Sequence, residues 1–225
     1  MLHKTLALFC LLLLSLNSYS YKTLSVKAEN EQYQMEINYP DAFVEEGMDE
    51  VIAAQIDQIK ADFIQGLSDQ TGLPETVPGK NTLSVTYKIT YQENQVLSLL
   101  ISSSVFYRGA AHPFHQLYAL NFMNGQPLNL SDLFKDKDYL LFLSSYARQN
   151  LPNVKKYDEA WLLKGSDPLE KNYRIWQFSE EGLVLVFNTY QIAPYVEGPQ
   201  KLTVPLKELE PMLREPIRKA VWGSR

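Results

Sequence analysis

The sequence predicts an α+β fold: antiparallel sheet, or sheets, packed against a long amphipathic helix and a C-terminal helix. Three observations carry that expectation. Met48, Ile52, Ile56, Ile59, Phe63 and Leu67 recur at spacings of three and four, with Asp49, Asp57 and Asp62 between them. That is one apolar stripe on a helix of about five turns, made to lie on a sheet. Residues 84 to 91 alternate strictly, with Val85, Tyr87, Ile89 and Tyr91 on one face and Ser84, Thr86, Lys88 and Thr90 on the other. This is the period of a strand with one buried face. Strand-like and helix-like stretches then follow one another without a regular strand-helix-strand repeat, which favours mixed architecture over a parallel α/β fold.

In chain order, YQMEINYP (33–40) is the first expected strand, closed by Pro40, and the long helix follows. GLPETVPGKN ends the helix with two prolines and a glycine. The alternating strand turns at QENQ and returns from Val96 to Tyr107, with Leu97, Leu99, Ile101 and Val105 in phase. FHQLYALNF is a further strand, MNGQP a turn, and LNLSDLF leads into the helix DYLLFLSSYARQNL, stopped by Pro152. YRIWQF and GLVLVFNTY are strands joined by SEEG, QKLTVPL is another, and KELEPMLREPIRKAVW is a closing helix interrupted by prolines.

The N-terminus addresses the chain. Lys4 precedes an apolar run of about a dozen residues, and Ser18 and Ser20 supply small residues at −3 and −1 of a cleavage site after Ser20. The run is shorter than the roughly 20 residues needed to span a bilayer. Residues 1–20 therefore read as a signal peptide and the remainder as periplasmic or secreted, with no integral membrane segment after cleavage. Phe9 before Cys10 is too bulky for a lipidation site. Cleavage removes the single cysteine and His3, so the mature chain has no disulfide and depends on its core. Its 205 or so residues suffice for one large domain or two closely packed ones.

The whole chain carries a net charge of −5, and losing Lys4 makes it −6. Residues 29 to 62 hold ten acids against Lys60 alone, a local net of −9, which leaves about +3 elsewhere. Such polarity disfavours nucleic acid at that end and steers a cationic partner there; a solvated acidic helix face is the plainer reading. Glu45, Glu46, Asp49 and Glu50 are the candidates for such steering.

Chemistry is sparse. YRGAAHPFHQLYALNF holds the two histidines of the mature chain, His112 and His115, beside Tyr107. A zinc site needs at least three protein ligands, and there is no third histidine and no cysteine. Neither a metal nor a cofactor is therefore expected, and the simpler reading has His112 packed in a turn whose exit Pro113 fixes. No Gly-x-Ser-x-Gly elbow or phosphate-binding glycine loop is present, and no pair among the many acids stands out as a glycosidase couple. NTYQIAPYVEGP is the better surface candidate: Asn188, Tyr190 and Tyr195 lie in an irregular segment where aromatics either stack on a sugar, anchor a protein, or cap the core.

YRGAAHP…LNFMNGQPLNLSDLF, together with FSEEGLVLVFNTYQIAPYVEGPQKLTVPLKEL, resembles the exported paired domains of the anti-sigma factor RsiV and of the N-terminal part of the peptidoglycan deacetylase PdaC. The more specific phrase is the C-terminal Asn-x-Tyr-x-Ile-x-x-Tyr with its following Gly-Pro. Ala110 departs from the second glycine usual in the family, leaving Gly109 to supply any positive φ. The resemblance implies a PdaC-like strand-helix-hairpin region over 21–110 and an RsiV-like α+β region over 111–225, the two forming one compact unit. Neither a deacetylase catalytic domain nor a segment for binding a sigma factor is recognisable. RsiV senses lysozyme and PdaC acts on peptidoglycan, so the resemblance implies a non-catalytic envelope binding module. Its partner would be a cationic, lysozyme-like envelope protein or a peptidoglycan-derived glycan. The alternative is an envelope hydrolase with its site near His112.

Overall fold

In the computed structural model the described residues are 19–68, 78–151 and 158–223. Most of the expected signal segment, the proline-rich link after the long helix as far as residue 77, and the expected helix stop at Pro152 lie outside them. A six-stranded sheet is formed in chain order by β1 (Lys22–Glu29), β2 (Tyr33–Asp41), β3 (Asn81–Glu93), β4 (Val96–Phe106), β5 (Phe114–Met123) and β6 (Gln126–Pro127). A three-stranded meander follows, of β7 (Trp176–Ser179), β8 (Gly182–Phe187) and β9 (Gln200–Pro205). The helices are α1 (Met48–Ser68), α2 (Tyr139–Asn150), α3 (Glu159–Gly165), α4 (Leu206–Leu209) and α5 (Glu215–Trp222). The mixed α+β class read from the sequence is the observed one.

α1 lies where its stripe directs it. Met48, Ile52, Ile56, Ile59 and Phe63 are buried in one cluster with Leu83, Val85, Leu97, Leu99, Ile101 and Phe122. The connection through α1 makes β2 and β3 parallel, with Tyr33 opposite Asn81 and Ile37 opposite Val85. That pair is the exception to the antiparallel expectation, and its cause is geometric: a 21-residue helix carries the chain back along the full strand length before β3 begins. β1, which the sequence reading missed, pairs antiparallel with β2 at the sheet edge and is exposed along almost all its length. Burying so little, it leaves only a weak periodic signal.

Two further expectations fail for one reason. The hairpin of β3 and β4 was expected to bury a single face, yet Val96 to Ile101 are buried without interruption. Leu97, Leu99 and Ile101 meet α1, whereas Val96 and Leu100 belong to clusters shared with the second sheet. β4 is thus the middle layer of a sandwich: helix, six-stranded sheet, three-stranded sheet. The register also slips between Ile89 and Tyr91. The bulge turns Tyr91 away from the face of Val85, Tyr87 and Ile89. It packs on Phe178 in the second cluster, and its hydroxyl donates to the Val221 carbonyl at 2.8 Å.

A buried polar pair joins the sheets. Ser98 Oγ donates to Asn121 Oδ1 (2.6 Å) and accepts from the Phe178 N–H (2.9 Å), while Asn121 Nδ2 donates to the Trp176 carbonyl (2.9 Å). β7 is thereby fixed across β4 and β5 by hydrogen bonds of defined geometry, in addition to apolar contact. Because β5 pairs with β4, the six-stranded sheet runs across the 110/111 division expected from the sequence.

In the C-terminal third, β7 begins at Trp176 and not at Tyr173, and β8 ends at Phe187, so NTY is loop. Gly182 closes the β7–β8 turn with φ of 151°, where a Cβ would meet the Val204 carbonyl at 2.1 Å, so no other residue fits. The closing helix is two helices. Pro211 has no N–H to continue α4, and Pro216 sits in the first turn of α5, where none is needed. α3 was not anticipated; Asp158 caps it by accepting from the Trp161 N–H at 2.9 Å.

Tyr19 is 4% exposed. Its hydroxyl donates to the Gln95 carbonyl and accepts from the Gly125 N–H (3.3 Å), and its ring meets Phe43 edge-on at 6.2 Å. A cut after Ser20 would discard this core side chain.

Three outcomes are expected. Asn121→Ala should cost about 1–3 kcal/mol for each buried group left unpaired, read by urea unfolding, and Ser98→Ala combined with Asn121→Leu should cost less than the sum of the single changes. A chain beginning at Tyr19 should be more stable than one beginning at Tyr21 by about 1.5–3 kcal/mol, the worth of one large buried side chain; equal melting would show that Tyr19 is dispensable.

Candidate functional site

The connection from β4 to β5 and the loop from β8 to β9 meet at one end of the sandwich, and their aromatic rings form a row. Tyr195, in a short 3-10 turn (Tyr195–Glu197), stacks on His112 with ring centroids 4.0 Å apart and an interplanar angle of 27°. His115 lies on the same ring system at 6.4 Å. The Tyr195 hydroxyl donates to the Pro113 carbonyl at 3.2 Å, fixing the turn to the loop. Tyr190 follows at 5.7 Å from Tyr195, and Trp161 of α3 stacks on Tyr190 at 6.4 Å and 7°. The Trp161 indole N–H donates to the Tyr190 carbonyl at 2.7 Å.

Hydrogen bonds over-determine this loop. Asn188 Oδ1 accepts from the Leu117 N–H (2.9 Å) and its Nδ2 donates to the Leu117 carbonyl (3.3 Å), so one side chain stands in for a strand on the outer edge of β5. Gln191 Oε1 accepts from the Asn188 N–H, and its Nε2 donates to the carbonyls of Gly165 (3.0 Å) and Asn172 (2.8 Å). At Gly165 a Cβ would lie 1.9 Å from the Gln191 carbonyl, so glycine is what lets α3 and the loop touch. With its neighbours pinned, Tyr190 holds a φ of 68° and remains 43% exposed. Such strain persists only where the surroundings enforce it.

Behind α3, Arg148 donates to Ser166 Oγ (3.0 Å), the Leu163 carbonyl (3.0 Å) and Asp167 Oδ1 (2.8 Å). The Tyr173 hydroxyl donates to the Ser166 carbonyl at 2.6 Å. Burial is the main cause that pushes the Tyr173 phenol up to about 12.

A groove of about 520 Å³ opens beside the ring row. Ser84, Thr86, Ser102 and Ser104 form its floor, and His115, Tyr195 and Val196 stand along its wall. The floor is the face of β3 and β4 turned away from α1. Nearer the Ser98–Asn121 pair that face is covered by the second sheet, where Leu100 packs on Ile175 and Val186; from Ser102 onward it is open. Four hydroxyls thus face a wall of aromatic edges and Val196, itself 85% exposed. Such a surface suits a ligand rich in hydroxyls with apolar faces, because rings stack on those faces and serines pair with the hydroxyls.

His112, His115, Tyr190 and Tyr195 of the sequence candidates share the ring row, and Asn188 is its anchor. His112 Nδ1 lies 3.0 Å from the Pro113 carbonyl, and among the described residues no carboxylate pairs with either imidazole. Nor do three His, Cys, Asp or Glu side chains converge among the described residues. Tyr107 stands apart. Its ring stacks on Phe63 at 5.9 Å, its hydroxyl donates to the Phe63 carbonyl at 3.3 Å, and it presses against Gly66, all on the α1 side.

The four acids do not form one free patch. Asp49 Oδ1 accepts from the Phe43 N–H (3.2 Å), and Glu45 leans on Gly125 with one carboxylate oxygen buried and unpartnered, whereas Glu46 and Glu50 are exposed. Trp161 and the hydroxyl floor were not singled out from the sequence. The alternation of Ser84 and Thr86 and the run Ser102–Ser104 carried the floor's signal, but a solvated sheet face reads identically.

A family profile described as "Deacetylase PdaC" matches residues 26–115, and one described as "Protein of unknown function (DUF3298)" matches residues 131–207. The chain carries the PdaC and DUF3298 regions in tandem. It is 27% identical over 191 residues to the peptidoglycan-N-acetylmuramic acid deacetylase PdaC of Bacillus subtilis, an alignment covering 83% of this chain and 40% of that protein. The chain thus corresponds to less than half of that relative. Two solved structures share the fold: a DUF3298 family protein of Pseudomonas aeruginosa (TM-score 0.63, 15% identity, 92% of this chain and 98% of that one) and a DUF3298 family member from Bacteroides fragilis (0.62, 17%, 88% and 94%). In this PdaC–DUF3298 tandem the groove lies at the join, its floor from the PdaC region and most of its wall from the DUF3298 region. No helix among the described residues is long and apolar enough to cross a membrane.

The Tyr173 phenol generates a pH prediction. Its pKa is higher folded than unfolded, so the folded state keeps the proton longer, and stability present below the unfolded value near 10 is lost as pH rises toward about 12. Tyr173→Phe should flatten that alkaline limb in pH-dependent urea titrations; an unchanged limb would place the alkaline sensitivity elsewhere.

Proposed function

We propose that this protein is an exported, non-catalytic binding module of the cell envelope whose ligand is a peptidoglycan-derived glycan held in the groove between the hydroxyl floor and the ring row. The supporting observation is the juxtaposition of Ser84, Thr86, Ser102 and Ser104 with Tyr195, on a loop fastened at Asn188 and Gln191. A preorganised aromatic wall avoids ordering costs on binding, and Glu197 is the one carboxylate among the residues lining the groove, so the hydroxyl and N-acetyl groups of a glycan meet little desolvation penalty there. The curated relative's name places that protein at peptidoglycan, which agrees with the expected signal segment of this one. Periplasmic or secreted localisation belongs to the same proposal.

A cationic protein partner is less well supported, because Asp49 is occupied by the Phe43 N–H and Glu45 is partly enclosed. A hydrolase centred on His112 lacks support as well, since that imidazole is taken up by stacking on Tyr195.

Isothermal titration with soluble N-acetylglucosamine oligosaccharides and with glycan strands freed from peptidoglycan tests the reading. Binding should change little between low and high salt, because exposed charges screened over about 8 Å carry little of it. Tyr195→Ala should weaken it roughly three- to tenfold, the worth of one stacking contact. Binding that collapses with salt and ignores Tyr195→Ala would move the function to a charged partner.

A further inference from the structure

A second cleft lies along the outer edge of β5, on the other side of the Asn188 latch. Two adjoining cavities of about 350 and 390 Å³ share Ala119 and Arg174 and follow that edge between α1 and the segment leading into β7. The edge is closed at both ends. Leu117 is capped by Asn188, and the Asn121 carbonyl accepts from the Leu128 N–H at 2.8 Å. Outward-facing residues alternate along a strand, so Ala119 turns its N–H and C=O to the same edge. β6 pairs only with Phe122 and Met123, and no described residue closes the gap at Ala119. The cleft therefore presents one unpaired backbone donor and one unpaired acceptor in a slot.

Tyr139 lines the same cleft. It is 2% exposed, and its hydroxyl is buried without a hydrogen-bond partner. A buried hydroxyl in that state is costly unless something supplies an acceptor. Burial and the nearby carboxylates of Glu170 and Asp132 keep the phenol protonated, so it is a donor, and those carboxylates favour a neutral carbonyl over an anion as its acceptor. Arg174, exposed at the middle of the cleft, forms no ion pair among the described residues and is free to take a carboxylate.

We propose that this cleft is a second ligand site, for a short extended peptide that pairs one residue with Ala119, gives a backbone carbonyl to Tyr139 and sets its free C-terminal carboxylate on Arg174. Strand addition suits the slot, since main-chain hydrogen bonds bind with little demand on side chains, and an edge window of one residue admits a tip and not a long strand.

The test uses the chain from Tyr19 onward labelled with 15N, titrated with N-acetyl-trialanine as the free acid and as its C-terminal amide. The acid should shift the Ala119 amide and bind more tightly than the amide. Arg174→Gln, at an exposed position, should erase that preference, and Tyr139→Phe should weaken the acid roughly three- to tenfold while the melting temperature holds or rises. Absence of any Ala119 shift at millimolar acid overturns the proposal. So does equal binding of acid and amide to the wild type. A Tyr139→Phe protein that melts several degrees lower yet binds unchanged would show the hydroxyl to be structural and would also overturn it. Because the probe carries no sugar, failure here leaves the glycan reading untouched, and the reverse holds as well.

Discussion

The fold turns on the demand that β4 be buried on both faces. Leu97, Leu99 and Ile101 lie under α1, and the opposite face carries Val96, Ser98 and Leu100 into the second sheet. A serine at the centre of such a layer is costly to bury unless its hydroxyl is matched. Ser98 is matched twice, by Asn121 on the neighbouring strand and by the Phe178 N–H of the second sheet, and Asn121 spends its own N–H on Trp176. Apolar contact alone would let two sheets slide over one another. These bonds are satisfied in one relative placement, and the bulge that sends Tyr91 toward Phe178 and Val221 acts in the same sense.

That placement creates the groove. The second sheet is short and covers the first only as far as Leu100, so the hydroxyls of Ser84, Thr86, Ser102 and Ser104 stay open beside the β8–β9 loop. The loop can be irregular because its polar groups are accounted for: Asn188 serves β5, and Gln191 serves α3 and the 3-10 turn at Glu170–Asn172. The same latch divides the outer edge of β5 from the groove, so two recesses of different character lie next to each other. One offers hydroxyls and rings; the other offers backbone polar groups, a phenol and a guanidinium.

The ring row was partly legible in the sequence. His112, His115, Asn188, Tyr190 and Tyr195 stand out in irregular stretches where aromatic and amide side chains need a reason to be. Their meeting was not legible, because some 80 residues separate Pro113 from Tyr195. Trp161 sits in a helix of seven residues, too short for a periodic signal, and was missed. Tyr107 and the acids show in opposite ways what neighbours in sequence leave undecided. Tyr107 adjoins the histidines in sequence, but the end of β4 turns it to α1. Asp49 looks like a solvent-facing helix acid until the Phe43 N–H is seen to need an acceptor.

By itself the sequence determined what depends on periodicity and local chemistry: the α1 stripe and the sheet face it covers, the β3–β4 and β7–β8 hairpins, and the breaks that prolines impose near the C-terminus. Those follow from which residues neighbour each other along the chain. Only the tertiary structure decided the parallel pairing of β2 with β3, the second burial of β4, the reversal of Tyr91 and the assembly of both recesses. Each of these depends on which surface meets a residue's far side. Alternation in one strand records that a face is apolar or polar, and it carries no mark of whether a polar face meets water, a ligand or a matched polar group on another sheet.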